Sequence, residues 1–283
     1  MWMYKMLRSL NAWLFCIIYA GISNGNNNSN KHNITMATSA SGSVSAKHIF
    51  DHIQSRVSQL SGSLPRHLAI ILEHEASNNM ALLHKLADVL MWSVMAGISR
   101  ITIMERTGEL KKQLDILQHT LEGQHKRLTV DNDNNNDNNI TFSFNWLNKS
   151  SNDHHSHDAD HGHATVAPIT NQRVLDISVV SADDGKLELV NITKKYTKER
   201  KLDESLELNE HYIQSNLPRH IGGEGSEPEI AMDFTERNIL SGFLPWHVKL
   251  TEFIKVDNFN QMYLEKYLHV LQTYGRIEKR CGK

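Results

Sequence analysis

Glu73, His74 and Glu75 stand in a row directly after an all-apolar run, Leu-Ala-Ile-Ile-Leu at residues 68–72. If that run is a strand of an open α/β sheet, the trio sits just past its C-terminal end, where such sheets bind ligands. Topology alone therefore makes this the candidate active site; three polar residues opening a loop are the plainer alternative. Ser241 and His247 are close in sequence, but nothing orients them as a nucleophile and its base. His154, His155, His157, His161 and His163 bring five imidazoles into one short tract, and imidazole binds zinc, copper or nickel. No cysteine accompanies them, and the Asn/Asp and His runs around them have the composition of a low-complexity insertion. Ile-Gly-Gly-Glu-Gly-Ser at 221–226 is glycine-rich, but it lacks the spacing and the Gly-Lys-Ser/Thr of a phosphate loop.

The elements that must position these groups can be read from periodicity. Residues 68–72 suit a strand buried on both faces of a parallel sheet. Leu82, Leu86, Leu90 and Val94 mark a helix over 80–96, with Gly97 as its C-terminal cap. A second strand is expected at 98–104. A second helix is expected at 107–126, with Thr107 as N-cap and Leu110, Leu114, Leu117 and Leu121 on one stripe. Alternating strands and helices of these lengths imply right-handed crossovers and a parallel sheet. Further strands are expected at 140–146, 173–180, 229–234 and 251–256. A turn is expected at Asp183-Asp184-Gly185-Lys186. Residues 187–201 are ambiguous between strand and helix. A helix is expected through 203–215, and a last one at 262–274 with Tyr263, Tyr267, Val270 and Tyr274 on one side. The fold class is α/β, a mainly parallel sheet with helices on both faces, preceded by an N-terminal hydrophobic segment.

Residues 1–22 carry Lys5 and Arg8 ahead of an apolar run at 10–22. The run is short for a full span, which needs roughly 20 apolar residues. A cleaved signal peptide and an uncleaved anchor with snorkelling basic residues both fit. Residues 23–45 are Asn/Ser-rich and read as a disordered tether. A short amphipathic helix at 47–60 opens the main domain, 46–283, which carries a disordered Asn/His-rich insertion at about 131–168. The chain has 283 residues, 40% apolar and 22% charged, a normal globular balance. Its net charge of −2 gives no basic footprint, so no nucleic-acid partner is expected. Two cysteines, Cys16 and Cys281, cannot make a disulfide framework. The five Asn-X-Ser/Thr sequons, at Asn27, Asn33, Asn139, Asn148 and Asn191, carry little weight in so Asn-rich a chain.

Three segments together resemble the cis-prenyltransferase family. Catalytic members look like His-X-Ala, an apolar strand, then Asp-Gly-Asn-Arg. Here His67-Leu68-Ala69 and the strand are kept, while Glu73-His74-Glu75-Ala76 replaces the phosphate-binding turn. An added carboxylate repels a diphosphate, and loss of the glycine removes the close backbone approach. Leu240-Ser241-Gly242-Phe243-Leu244-Pro245-Trp246-His247 matches the frame of the second family signature. Laid on it without gaps, Asp233 and Ile239 stand where two diphosphate-binding arginines belong, and guanidinium is hard to replace there. Ser241, Phe243, Leu244 and Trp246 keep the frame. The third segment, Arg280-Cys281-Gly282, is similar to the Arg-X-Gly with which the accessory members end. Pro228 and the Asp184–Lys186 turn also resemble that branch.

The resemblance implies a non-catalytic, accessory subunit of dehydrodolichyl diphosphate synthase, inactive alone. Its partner would be a catalytic cis-prenyltransferase subunit that holds most of the magnesium (Mg2+). Glu73, His74, Glu75, Asp233, Ile239 and Ser241 would be a degenerate former active site, with no metal of their own. Arg280 and Gly282 would reach the partner's site and help to bind isopentenyl diphosphate. The resemblance also favours an anchor over a signal, placing the chain at the endoplasmic reticulum membrane with its main domain facing the cytosol. A single-chain active enzyme and a non-enzymatic membrane receptor or scaffold are the alternatives.

Overall fold

Residues 46–73, 79–130, 141–149, 172–223, 225–236, 240 and 242–278 are described by the computed structural model. The segments at 1–22 and 23–45, and most of the insertion at 131–168, lie outside them. Among the described residues no helix is long and apolar enough to cross a membrane.

The described part opens with α1 (Ala46–Ser58) and continues through β1 (His67–Leu72), α2 (Met80–Ala96), β2 (Arg100–Glu105), α3 (Glu109–Lys112), α4 (Leu114–Val130), β3 (Thr141–Trp146) and β4 (Gln172–Val180). It then passes through α5 (Lys186–Arg200), α6 (Glu210–Asn216), β5 (Ile230–Asp233), β6 (Glu252–Lys255) and α7 (Leu264–Gly275). The six strands form one sheet in the order β3-β4-β2-β1-β5-β6. Every neighbouring pair is parallel.

Strands β1, β2 and β5 are buried along their whole length, as interior strands of a parallel sheet covered on both faces are. Their side chains alternate. Leu68, Ile70, Ile101, Ile103, Leu175, Ile177, Ile230 and Met232 join one core with α1, α2, α4 and α7. On the opposite face Ala69, Thr102, Ser178 and Ala231, none more than 2% exposed, are small. Small side chains let the covering backbone lie close. His67 and Arg100 hydrogen-bond the carbonyls of Gly225 and Gly222 there. The connection from β4 to β5 runs back across β2 and β1, so right-handedness puts α5 and α6 on this second face. They build a small cluster of their own from Ile192, Tyr212 and Ile213, with Trp246 against it.

Helix α2 is the hub of the first face and matches its expected bounds. Asn79 caps its start through Leu82 N–H, and Gly97 ends it at φ 100°. The expected helix at 107–126 divides in two at Gln113. Its N-cap is Gly108, not Thr107. Thr107 is drawn aside by Glu105, whose carboxylate accepts its N–H and its O–H at 2.7 and 2.6 Å. The ambiguous stretch 187–201 is helical, with only Ile192 fully buried, so no stripe announced it. The helix expected through 203–215 is confined to α6, because Asp203 folds its carboxylate onto Ser205 and Asn209 starts the helix at Tyr212 N–H. Tyr267, Val270 and Tyr274 face the core as expected, whereas Tyr263 precedes the helix and is 39% exposed.

Candidate functional site

From β1 the chain leaves towards β2; from β5 it leaves the other way, towards β6. The strand order therefore reverses between β1 and β5, and the crevice beyond their C-terminal ends is where an open α/β sheet binds ligands. Glu73 follows β1 and Asp233 ends β5, with Ile71 and Asp233 in register. The structure thus brings these two expected site residues to one crevice. His74, Glu75, Ile239, Ser241, Arg280 and Gly282 lie outside the described residues.

The carboxylates at this end of the sheet are already engaged. Glu73 Oε2 accepts the backbone N–H of Glu236 at 2.7 Å. Asp233 is 6% exposed, and its Oδ1 accepts the N–H and O–H of Thr235 at 2.8 and 2.7 Å. Its Oδ2 faces Lys255 Nζ at 3.7 Å, the residue paired with it on β6. Glu105 starts α3 by accepting from Thr107 and from Leu110 N–H. Burial would raise its carboxyl, but the Thr107 and Leu110 hydrogen bonds outweigh that and hold it below the ordinary range.

Asp184 is the most heavily used of these acids. It accepts from Lys111 Nζ, from Ser181 N–H at 2.7 Å, from Ser181 Oγ at 3.1 Å and from His220 Nε2 at 2.9 Å. Burial opposes its charge, yet the bonds from His220, Lys111 and Ser181 hold its carboxyl well below the usual carboxylate range. Three segments are thereby tied to the end of β4: α3, the loop after α6, and the turn itself. The neighbouring Gly185 has a further reason to lack a side chain. A Cβ there would lie 2.5 Å from the Gly242 carbonyl oxygen, and Gly242 itself sits at φ 85° against Ala182. So the run at 242–247 starts directly over the Asp184-Gly185 turn. Its Phe243 and Leu244 are buried, and Trp246 Nε1 donates to Gln214 at 3.1 Å.

A magnesium ion bound here would need free carboxylate oxygens converging from several residues. Glu73 Oε2 and the carboxylates of Asp233, Glu105 and Asp184 are engaged in turns, helix starts and ion pairs instead. Among the described residues no group of three or more His, Cys, Asp or Glu side chains could hold a metal. The described residues do not fit the ion.

Beneath the second face, His67 and His247, each named above only as part of a motif, are buried close to Arg100. His67 Nδ1–H donates to Gly225 O at 3.0 Å, which leaves Nε2 to accept the Thr102 hydroxyl at 2.9 Å. Burial, then the nearby Arg100 guanidinium, lowers the His67 pKa to about 3. Burial chiefly lowers that of His247 to about 4. Both are neutral spacers under the loop that covers the sheet. A local signal did exist for Asp184, since Ser181-X-X-Asp184 has capping-box spacing and forms one. None existed for His220, which reaches Asp184 from a distant loop.

No family model matches the chain. Three curated relatives do, each over 78% of it: the dehydrodolichyl diphosphate synthase complex subunits NUS1 of Saccharomyces cerevisiae (24% identical), Nus1 of Mus musculus (22%) and NUS1 of Homo sapiens (23%). The chain spans 60% of the length of the yeast relative, and 66% and 67% of the mouse and human ones. Two solved structures are also similar, each at 16% identity and over 78% of this chain. One is lavandulyl diphosphate synthase from Lavandula x intermedia in complex with dimethylallyl diphosphate, covered over 99% at a TM-score of 0.48. The other is a probable undecaprenyl diphosphate synthase from Campylobacter jejuni, covered over 100% at a TM-score of 0.44. Motifs and curated relatives agree, and the chain resembles the NUS1-type, non-catalytic branch of the cis-prenyltransferase-like proteins.

Proposed function

We propose that this chain is the accessory subunit of a heteromeric dehydrodolichyl diphosphate synthase, needed for cis-prenyl chain elongation but not itself the catalyst. The observation that carries this is the crevice between β1 and β5, where Glu73 and Asp233 hold turns together rather than facing a ligand. Their positions are those of a metal-binding acid and a diphosphate-binding arginine in the catalytic pattern. One is tied to Glu236 and the other has the wrong charge. The names of the curated relatives, all subunits of such a complex, support the same reading.

In this reading the catalytic partner holds magnesium and the allylic diphosphate and joins isopentenyl diphosphate to farnesyl diphosphate head to tail. This chain contributes Arg280 and Gly282. A guanidinium forks onto phosphate oxygens, and a glycine lets main-chain N–H groups approach them. Residues 1–22 anchor the complex at the endoplasmic reticulum membrane, with the domain on the cytosolic side. The test is to purify the full chain alone and with its cognate catalytic subunit, and to measure long-chain polyprenyl diphosphate synthesis. Expected are no synthesis by the chain alone, synthesis by the complex, and a marked loss with Arg280→Ala. Synthesis by the chain alone, or an Arg280→Ala complex as active as the parent, overturns the proposal.

A further inference from the structure

The outward side of α5 carries charges that nothing in the domain answers. Residues 186–201 hold six Lys or Arg against two Glu, in a chain whose net charge is −2. Ile192 faces inward and is 3% exposed. On the other side Leu187, Val190, Lys194, Lys198 and Lys201 follow at intervals of three and four residues, so they share one stripe. Leu187 is 48% and Val190 45% exposed, and Leu202, just past the helix, is 90% exposed. The charges beside the stripe are engaged. Glu199 accepts the Tyr212 hydroxyl at 2.7 Å and pairs with Lys195 at 3.7 Å, while Arg200 donates to the Leu206 carbonyl. Among the described residues no acid engages Lys194, Lys198 or Lys201. Elsewhere lysines sit against acids, as Lys85, Lys149 and Lys266 do with Asp88, Asp115 and Asp257.

We propose that this stripe is a docking surface for an anionic lipid leaflet, which seats α5 against the membrane. The proposal rests on the membrane placement read above for residues 1–22. Charge complementarity selects the occupant. A leaflet containing anionic lipids attracts cations within a Debye length, about 8–10 Å, and each lysine strengthens the contact about fivefold. An ammonium on a flexible stem suits a fluid array of headgroups, since it needs no fixed partner geometry. Protein interfaces are depleted in lysine and centre on aromatic or arginine anchors, and the stripe has neither. Leu187, Val190 and Leu202 add aliphatic contact at the depth of the headgroups.

The test places the full chain in vesicles of phosphatidylcholine alone or mixed with phosphatidylserine. Cys16→Ser and Cys281→Ser leave one introduced cysteine for a fluorophore that spin-labelled headgroups quench. Thr197→Cys puts it on the stripe, three residues past Lys194 and four before Lys201. His119→Cys puts it on α4, across the sheet, where the side chain is 82% exposed. Quenching is expected at position 197 in mixed vesicles only, and at position 119 in neither. Molar salt, which shortens the Debye length to about 3 Å, should abolish it. Lys194→Gln, Lys198→Gln and Lys201→Gln together should weaken docking about 100-fold, and the three Lys→Arg changes should retain it. Glutamine matches lysine in helix propensity, so the variant keeps α5. No quenching at position 197, equal quenching in both vesicle types or at position 119, or full quenching in the Gln variant overturns the proposal. So does a label at 197 that mixed vesicles leave untouched but the catalytic subunit shields, which would make the stripe a protein interface. A chain that does not float with phosphatidylcholine vesicles overturns the anchor reading instead, and the label in mixed vesicles still decides the docking surface.

Discussion

The Glu73 carboxylate accepts a 2.7 Å hydrogen bond from the Glu236 N–H, joining the end of β1 to the turn after β5 across the switch point of the sheet. An acid in the natural place for ligand chemistry is here a brace. Glu73→Ala should accordingly cost about 1 kcal/mol of stability, the net worth of such a bond, and Glu73→Gln, which keeps an acceptor oxygen, less. Urea denaturation of the two variants measures this. Activity of the assembled complex should be parental in both. A collapse of kcat at unchanged stability would instead assign Glu73 to the chemistry.

Asp184 braces the same end of the sheet more strongly, since Lys111, Ser181 and His220 all converge on it. Asp184→Asn removes the charge and one acceptor oxygen while leaving two cationic or polar donors half-buried. The expected loss is about 2–3 kcal/mol, between that of a charged hydrogen bond and that of a broken buried pair. Because the native carboxyl sits below its unfolded range, its contribution is complete above about pH 4 and is lost as pH falls below that value. A pH series of melts on wild type and Asp184→Asn should converge in strong acid, separate as pH rises towards 4 and keep a constant gap above it.

How much of this was legible in the sequence depended on whether the signal was local. Helix α2 was read residue for residue, because its apolar stripe and Gly97 lie within one window. The apolar run of β1 likewise announced a strand buried on both faces. Thr107 misled because its competitor for the helix start, Glu105, belongs to the strand before it. Helix α5 was ambiguous because a mostly exposed helix has no stripe. At the site, the family resemblance could say that the turn after Glu73 was altered and that Asp233 stood in the place of an arginine. They could not say what these carboxylates do instead. That needed Glu236 and Lys255, which only the sheet order brings alongside. The close approach of Gly62 to Gly275, where a Cβ on Gly62 would clash with the Gly275 carbonyl oxygen, was invisible for the same reason: two unremarkable glycines become a constraint only when the segments after α1 and at the end of α7 meet.

His67 and His247 predict an acid weakness in a higher pH window. Their pKa values are lowered to about 3 and about 4 in the fold, against 6.5 unfolded. Between pH 6.5 and 4 the unfolded chain therefore binds two protons that the native domain refuses, so stability rises with pH across that interval. Each histidine contributes a slope on the order of 1 kcal/mol per pH unit. Stability should be flat above about pH 7 and fall steadily below 6.5, well before Asp184 titrates. His247→Gln, neutral at every pH, should remove roughly half of the slope. A slope unchanged by that substitution would mean that His247 is protonated or exposed in the native domain.

Asn148 offers a stability test at the far edge of the sheet. Just past β3 its Nδ2 donates to Val179 O at 2.8 Å, and its Oδ1 accepts Val179 N–H at 2.7 Å. One side-chain amide thus imitates a strand neighbour and extends the ladder on β4, where Val179 is fully buried. Asn148→Ala would leave a buried N–H and C=O without partners, and about 2–3 kcal/mol is expected to be lost. Asn148→Asp keeps the acceptor and loses the donor, so it should fall between alanine and wild type. Asn148 also heads a sequon, and a glycan on Nδ2 would displace the bond to Val179. Mass spectrometry of the folded chain from a glycosylating host should therefore find Asn148 unmodified, and a stable, glycosylated Asn148 would refute the assigned role of its amide.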